Sequence, residues 1–178
     1  DYGLDLSEET MADVFAKAGY QHRGIFGKWH LGHRQQKWGP TKRGFTDFIG
    51  HYNGAIDYFT HERKGERDWH LDDEPFSQEG YSTDLIGESA VAFINGVPKS
   101  EPYFLYIPFN APHSPLQAKE SDLAKYPHRA NRSRTHAAMV DSLDQAMGKI
   151  LEAAEQRGDL DDTFVLFFSD NGGVNNIS

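Results

Sequence analysis

The stretch that decides how this chain folds is Gly24-Ile25-Phe26-Gly27-Lys28-Trp29-His30-Leu31-Gly32, a short apolar run that opens directly into a cation, an indole and an imidazole. On an extended segment the side chains at i and i+2 share a face. Lys28 and His30 are therefore expected to look into one pocket, with Trp29 packing behind them. A lysine ammonium is a compact point charge suited to a tetrahedral oxyanion, and a histidine beside it can move protons near neutral pH. The pair points to a site for a sulfate or phosphate ester. The plainer alternative is a strand end in which Lys28 is solvated and His30 caps a backbone carbonyl.

Working outward from that strand, residues 7–18 read as an amphipathic helix. Met11, Val14, Phe15 and Ala18 form its apolar stripe, with Ser7 as N-cap and Gly19 as the stop. Residues 32–79 show no clear period and read as long loop with a small hairpin around Trp69–Leu71. A second helix fits 82–95 through Leu85, Ile86, Ala90, Phe93 and Ile94, ending at Asn95-Gly96. Tyr103-Phe104-Leu105-Tyr106-Ile107 is the continuous apolar run of a strand buried on both faces, followed by a rigid turn through Asn110–Pro115. A third helix, about 134–156, is expected to bury Ala138, Val140, Leu143, Met147, Ile150 and Leu151 and to stop near Gly158. Phe164-Val165-Leu166-Phe167-Phe168 reads as another buried strand, with Ser169-Asp170-Asn171-Gly172-Gly173 directly past its end. Helices alternating with strands argue for an α/β fold: a largely parallel sheet with flanking helices.

Open α/β sheets bind ligands beyond the carboxyl ends of their strands, and each expected strand delivers polar groups there. Lys28 and His30 follow the first, His113 the second, Asp170 and Asn171 the third. Asp170 and Asn171 are hard oxygen ligands suited to Ca²⁺ or Mg²⁺, although Asp-Asn-Gly is also ordinary turn chemistry. His113, between Pro112 and Pro115, is held stiffly, as a proton donor must be; the alternative is a surface-turn histidine. His22, His33, His51, His61, His70, His128 and His136 have no such setting and read as structural or solvated. Asn131-Arg132-Ser133 and Asn176-Ile177-Ser178 match the glycosylation sequon, a weak signal.

Composition narrows the classes. A formal charge of −9 over 178 residues disfavours nucleic acid or an anionic membrane as the main partner, so an anionic substrate needs a local cluster of cations or a metal. Cysteine is absent, which excludes disulfides and thiolate metal sites. No apolar run approaches the roughly 18 residues of a membrane span, and no signal peptide is visible.

These motifs resemble the type I sulfatases. Gly27–Gly32 is similar to that family's second signature. Pro40–Phe45, with Gly50-His51-Tyr52-Asn53-Gly54-Ala55-Ile56-Asp57-Tyr58, resembles the region that follows it in arylsulfatase B-like members. Ala111–Gln117 and Phe168–Gly173 resemble two later motifs, in family order. The resemblance implies an alkaline-phosphatase-like core, a Ca²⁺ ion and a formylglycine nucleophile made from Cys or Ser by a formylglycine-generating enzyme. By position, Lys28 would contact the sulfate and the formylglycine, and His30 would hold the formylglycine hydrate and help expel sulfate. His113 would assist the leaving alcohol, and Asp170 and Asn171 would ligate Ca²⁺.

The family's C-x-P-S-R or S-x-P-S-R motif, an N-terminal aspartate pair and a second active-site lysine are not among these residues. The chain is accordingly expected to be residues 1–178 of an N-terminal catalytic domain, truncated at both ends, and to be inactive and poorly folded alone. The expected substrate is an aryl sulfate or a sulfated sugar. The expected location is periplasmic, secreted or lysosomal. The competing readings are a phosphodiesterase or phosphonate hydrolase of the same superfamily, and a non-catalytic calcium- or anion-binding module.

Overall fold

The computed structural model describes residues 3–32 and 35–173. Along the chain run α1 (Met11–Lys17), β1 (His22–Lys28), β2 (Asp47–His51), the short pairs β3 (Glu62–Arg63) with β4 (Glu66–Arg67) and β5 (His70–Leu71) with β6 (Glu74–Pro75), then α2 (Ser82–Gly96), β7 (Tyr103–Tyr106), α3 (Glu120–Leu123) and α4 (Asn131–Arg157). The main sheet has the order β6-β5-β2-β1-β7. β1 is parallel to both β2 and β7, while β5 and β6 extend the sheet antiparallel. The expected α/β fold with flanking helices holds: the three longer strands are parallel, and the short β5 and β6 make the sheet mixed.

β1 is central because its side chains serve two cores. Ile25 joins Ala12, Trp29, Phe45 and Phe48 on the α1 face. Phe26 joins Ile86, Ala90, Ile94 and Ile150 on the face covered by α2 and, behind it, α4. Successive strand residues point to opposite faces, which is why this apolar run shows no polar alternation. Gly27 and Gly50, opposite each other in register, let the backbones close up: a Cβ on Gly50 would overlap the Gly27 carbonyl, and one on Gly27 the Pro108 carbonyl.

Several expectations need correction. The first helix begins at Met11, not near Ser7. Thr10 caps it through a reciprocal capping box with Asp13, which satisfies two end donors at once. Met11 and Val14 are exposed, and it is Ala12 and Phe15 that face inward, Phe15 stacking on Phe104 at 4.2 Å. β2 lies inside the stretch read as loop; Gly50 and His51 interrupt its pattern, but Phe48 is fully buried. The hairpin at 69–71 is present as β5–β6. α4 stops as expected at Gly158, which takes a left-handed φ of 88°, but Val140 is exposed. Asn131 of the first sequon is the first residue of α4; the second lies outside the described residues.

The largest correction concerns the two later apolar runs. β7 is only half-buried, and Tyr106 is exposed. Residues 164–168 form no strand, and Phe164 is 89% exposed, with Leu166, Phe167 and Phe168 also open to solvent. Strand propensity reports how well side chains fit a pleated, half-buried surface, and here no neighbouring strand supplies that surface.

At the lower end of the sheet α4 is fastened by Arg157. Its guanidinium donates to the carbonyls of Ile94 at 3.1 Å, Pro98 at 2.7 Å and Val97, pairs with Asp159, and lies 5.7 Å from the Tyr103 ring centre. Asp122, on α3, accepts from Ser142 Oγ at 2.7 Å and Gln145 Nε2 at 2.9 Å on α4 and pairs with Lys119 and Lys125.

Candidate active site

Parallel pairing brings the ends of β1, β2 and β7 to one edge of the sheet. Lys28 closes β1, and its amide donates to the Pro108 carbonyl at 2.8 Å, so the turn after β7 starts beside it. Its side chain is 16% exposed, and Nζ lies 3.9 Å from Asp170 Oδ2. The Asp170 carboxylate is mostly open to solvent, so the pair contributes little to stability. Its value is positional, because it sets residue 170 at the same edge as Lys28.

His30 reaches that edge by a different route from the one the sequence implied. The strand ends at Lys28 and His30 takes a left-handed φ of 54°, so the i, i+2 alternation does not govern it. Its amide donates to the Tyr52 carbonyl at 3.0 Å, and its imidazole lies against Gly54. Trp29 does pack behind, buried, with Nε1 donating to the Trp38 carbonyl at 2.7 Å.

His113 is exposed on the turn after β7. Its Nδ1 donates to the Ser114 carbonyl at 2.7 Å, which leaves Nε2 as the nitrogen able to face a ligand. The turn is held by more than its prolines. Tyr58 Oη donates to the His113 carbonyl and Tyr81 Oη to the Gln117 carbonyl, both at 2.8 Å. Gln117 in turn accepts from the Tyr58 amide at 2.9 Å and donates to Asp57 at 2.5 Å. Burial holds both tyrosine hydroxyls well above their ordinary pKa, so they remain donors.

Asp170 and Asn171 are both exposed. Turned to donate, the Asn171 amide meets the Asp170 carboxylate at 3.0 Å. A carboxylate and an amide oxygen on adjacent residues are hard donors for a cation, but they are two where Ca²⁺ takes six or more. Among the described residues no group of three or more His, Asp or Glu side chains could hold a metal ion.

Two groups beside the site were not singled out in the sequence as functional. His51, paired in register with Lys28, is fully buried. Burial pushes its pKa down to about 4, with Lys28 and His30 adding to the push and Asp68 and the Asn53 carbonyl opposing it. The ring is therefore neutral at physiological pH, donating from Nδ1 to the Asn53 carbonyl at 2.8 Å. Asp68 is buried as well. Burial alone would raise its pKa, but hydrogen bonds from His70, Tyr52 and Asn53 outweigh that and hold it well below the usual carboxylate range. Only the resemblance of Gly50–Tyr58 to a family region pointed to this loop.

The sequence model of the sulfatase family matches residues 3–176. The chain belongs to the sulfatase family. It is 32% identical to arylsulfatase J of Mus musculus over 96% of its own length and 30% of that protein. It is likewise 32% identical to N-acetylgalactosamine-6-sulfatase of Homo sapiens, over 97% and 34%. The chain thus spans about a third of the length of the curated relatives it matches. Among solved structures it resembles Ps i-CgsB, at TM-score 0.80 and 28% identity over 88% of this chain and 38% of that one. The same protein in complex with k-i-k-neocarrahexaose matches at TM-score 0.79 and 29% identity, with the same coverage of both chains. The fold is the alkaline-phosphatase-like α/β core that the family resemblance implied, of which the chain covers a part. Among the described residues no helix is long and apolar enough to cross a membrane.

Proposed function

We propose that this chain is part of the N-terminal catalytic domain of a longer sulfatase that hydrolyses sulfate esters of sugars or aryl alcohols. The observation that carries the reading is the convergence of Lys28, His30, the His113 turn and Asp170 on one sheet edge in a chain of this family. Lys28, largely shielded from water, neutralises charge on a sulfate oxygen, where a preorganised cation is worth more than in bulk solvent. His30 holds and moves a proton at the reacting end of the site. His113 presents Nε2 to the bridging oxygen and protonates the departing alcohol.

Asp170 and Asn171 would supply two of the oxygens around Ca²⁺, which when bound would neutralise charge developing on the transferring group. The nucleophile would be a formylglycine made by its generating enzyme from a Cys or Ser outside these residues. A sugar sulfate is supported by a neighbour solved with an oligosaccharide and a relative named for an N-acetylgalactosamine sulfate. Secretion to a periplasm, a lysosome or the exterior is part of the same proposal.

The test is turnover by the full-length protein on nitrophenyl sulfate, nitrophenyl phosphate and sulfated oligosaccharides. Sulfate-ester hydrolysis that collapses in Lys28→Ala is expected; hydrolysis of the phosphate ester alone would overturn the reading. His113→Ala should slow the sugar sulfate by about 10²- to 10⁴-fold, the usual worth of a general acid, and the nitrophenyl ester much less, because a nitrophenolate hardly needs a proton. Equal losses on both substrates would remove His113 from that role.

A further inference from the structure

The loop His51–Gly54 is fastened more firmly than a surface connection requires. Asp68, its side chain only 7% exposed, accepts from the Tyr52 and Asn53 amides at 2.9 Å each and from Asn53 Nδ2 at 2.7 Å, and it meets His70 Nε2 at 3.1 Å. The buried His51 ring ties the same loop from the other side, through its bond to the Asn53 carbonyl. A buried carboxylate committed to two consecutive loop amides fixes where the next residue, Gly54, must lie.

Gly54 lies under the imidazole of His30. A Cβ there would stand 2.6 Å from both Cε1 and Nε2 of that ring and 3.1 Å from Nδ1. The backbone at Gly54 is outside the left-handed region, so alanine would suit its φ. What glycine supplies is room for the ring. The His30 amide, donating to Tyr52, seats the backbone of His30 on the same loop. Yet His30 itself is exposed, so its position is not set by burial in a core.

We propose that Asp68 and Gly54 are positioning residues for His30, Asp68 locking the 51–54 loop and Gly54 providing the flat seat that aims the imidazole at the substrate. This rests on the reading of His30 as a catalytic group. Misplacing such a group by about 1 Å can cost on the order of 10²-fold in rate.

The test uses the full-length protein and a double-mutant cycle, which isolates coupling between neighbours. Gly54→Ala, His30→Ala and the double variant are compared for kcat and KM on nitrophenyl sulfate and for melting temperature. Gly54→Ala should lower kcat by about 10²-fold with KM and melting temperature nearly unchanged. The double variant should be no slower than His30→Ala, since the ring that the methyl would strike is gone. Asp68→Asn, keeping one acceptor oxygen, should recover part of the kcat lost in Asp68→Ala. Wild-type kcat in Gly54→Ala beside a crippled His30→Ala would overturn the positioning role, as would losses that multiply in the double variant. Wild-type turnover in His30→Ala would instead sink the catalytic reading of His30, and the inference with it.

Discussion

β1 and residues 164–168 each carry an apolar run, Gly24-Ile25-Phe26-Gly27 in one and Phe164-Val165-Leu166-Phe167-Phe168 in the other, that leads into a polar turn with candidate site residues. One is the buried centre of the sheet and the other is an exposed, unpaired run. Composition alone would favour the later run as the strand. β1 has a parallel partner on each side and a helix against each face, whereas the later run has neither. A strand is therefore a property of its neighbours as much as of its residues, and an apolar run without them is a template for association.

The sharpest check is a pair of truncations. Phe26→Ala, in the β1 core, should cost about 4 kcal/mol, read from urea denaturation. It should do so in the 178-residue chain and in the full-length protein alike. Phe164→Ala should cost about as much in the full-length protein if residues 164–168 gain strand neighbours there. In the 178-residue chain it should stay within about 0.5 kcal/mol. A large loss for Phe164→Ala in the short chain would break the contrast.

His51 gives the β1–β2 edge a pH signature that the exposed run lacks. The unfolded chain binds a proton near pH 6.5, while the folded protein resists it until about pH 4. Stability from this group is thus complete above about pH 6.5 and falls as pH drops, by roughly 3 kcal/mol at pH 4. His51→Gln should flatten that slope when unfolding is compared at pH 7.5 and 4.5. An unchanged slope would mean that the ring is not held neutral.

A smaller effect is expected at Asp122, where the side chain is 3% exposed. Asp122→Ala leaves the buried Ser142 hydroxyl without its acceptor, while Gln145 and Lys125 keep Asp141 and Lys119 keeps Asp84. A loss of about 2 kcal/mol follows, measurable by thermal melting.

How much was legible follows the same division. α2 and α4 carry their period and stops in their own residues, and the apolar run before Lys28 marked β1. Lys28, His113 and Asp170 could be marked as candidates because each lies shortly after an apolar run. α1 was misplaced because Ser7 and Thr10 are both competent caps, and only Thr10 has Asp13 three residues on. β2 was invisible because its pairing depends on Gly50 passing close to Gly27, a contact 23 positions away in the chain. The seat of His30 was equally hidden, since a glycine's purpose shows only once the ring above it is placed.

Arg157 has a consequence at a distance. Its planar fork, which a lysine could not reproduce, pins the base of α4 to the end of α2 and to the start of β7. Met139, about 27 Å further up the same helix, packs with Tyr58 and Tyr81, the residues that hold the His113 turn. The helix thus runs from its Arg157 anchor, past the Asp122 fastening at Ser142, to an end that packs beneath a proposed proton donor. Arg157 and the His113 turn stand at opposite ends of one continuous element, joined through that helix and the two tyrosine hydroxyls.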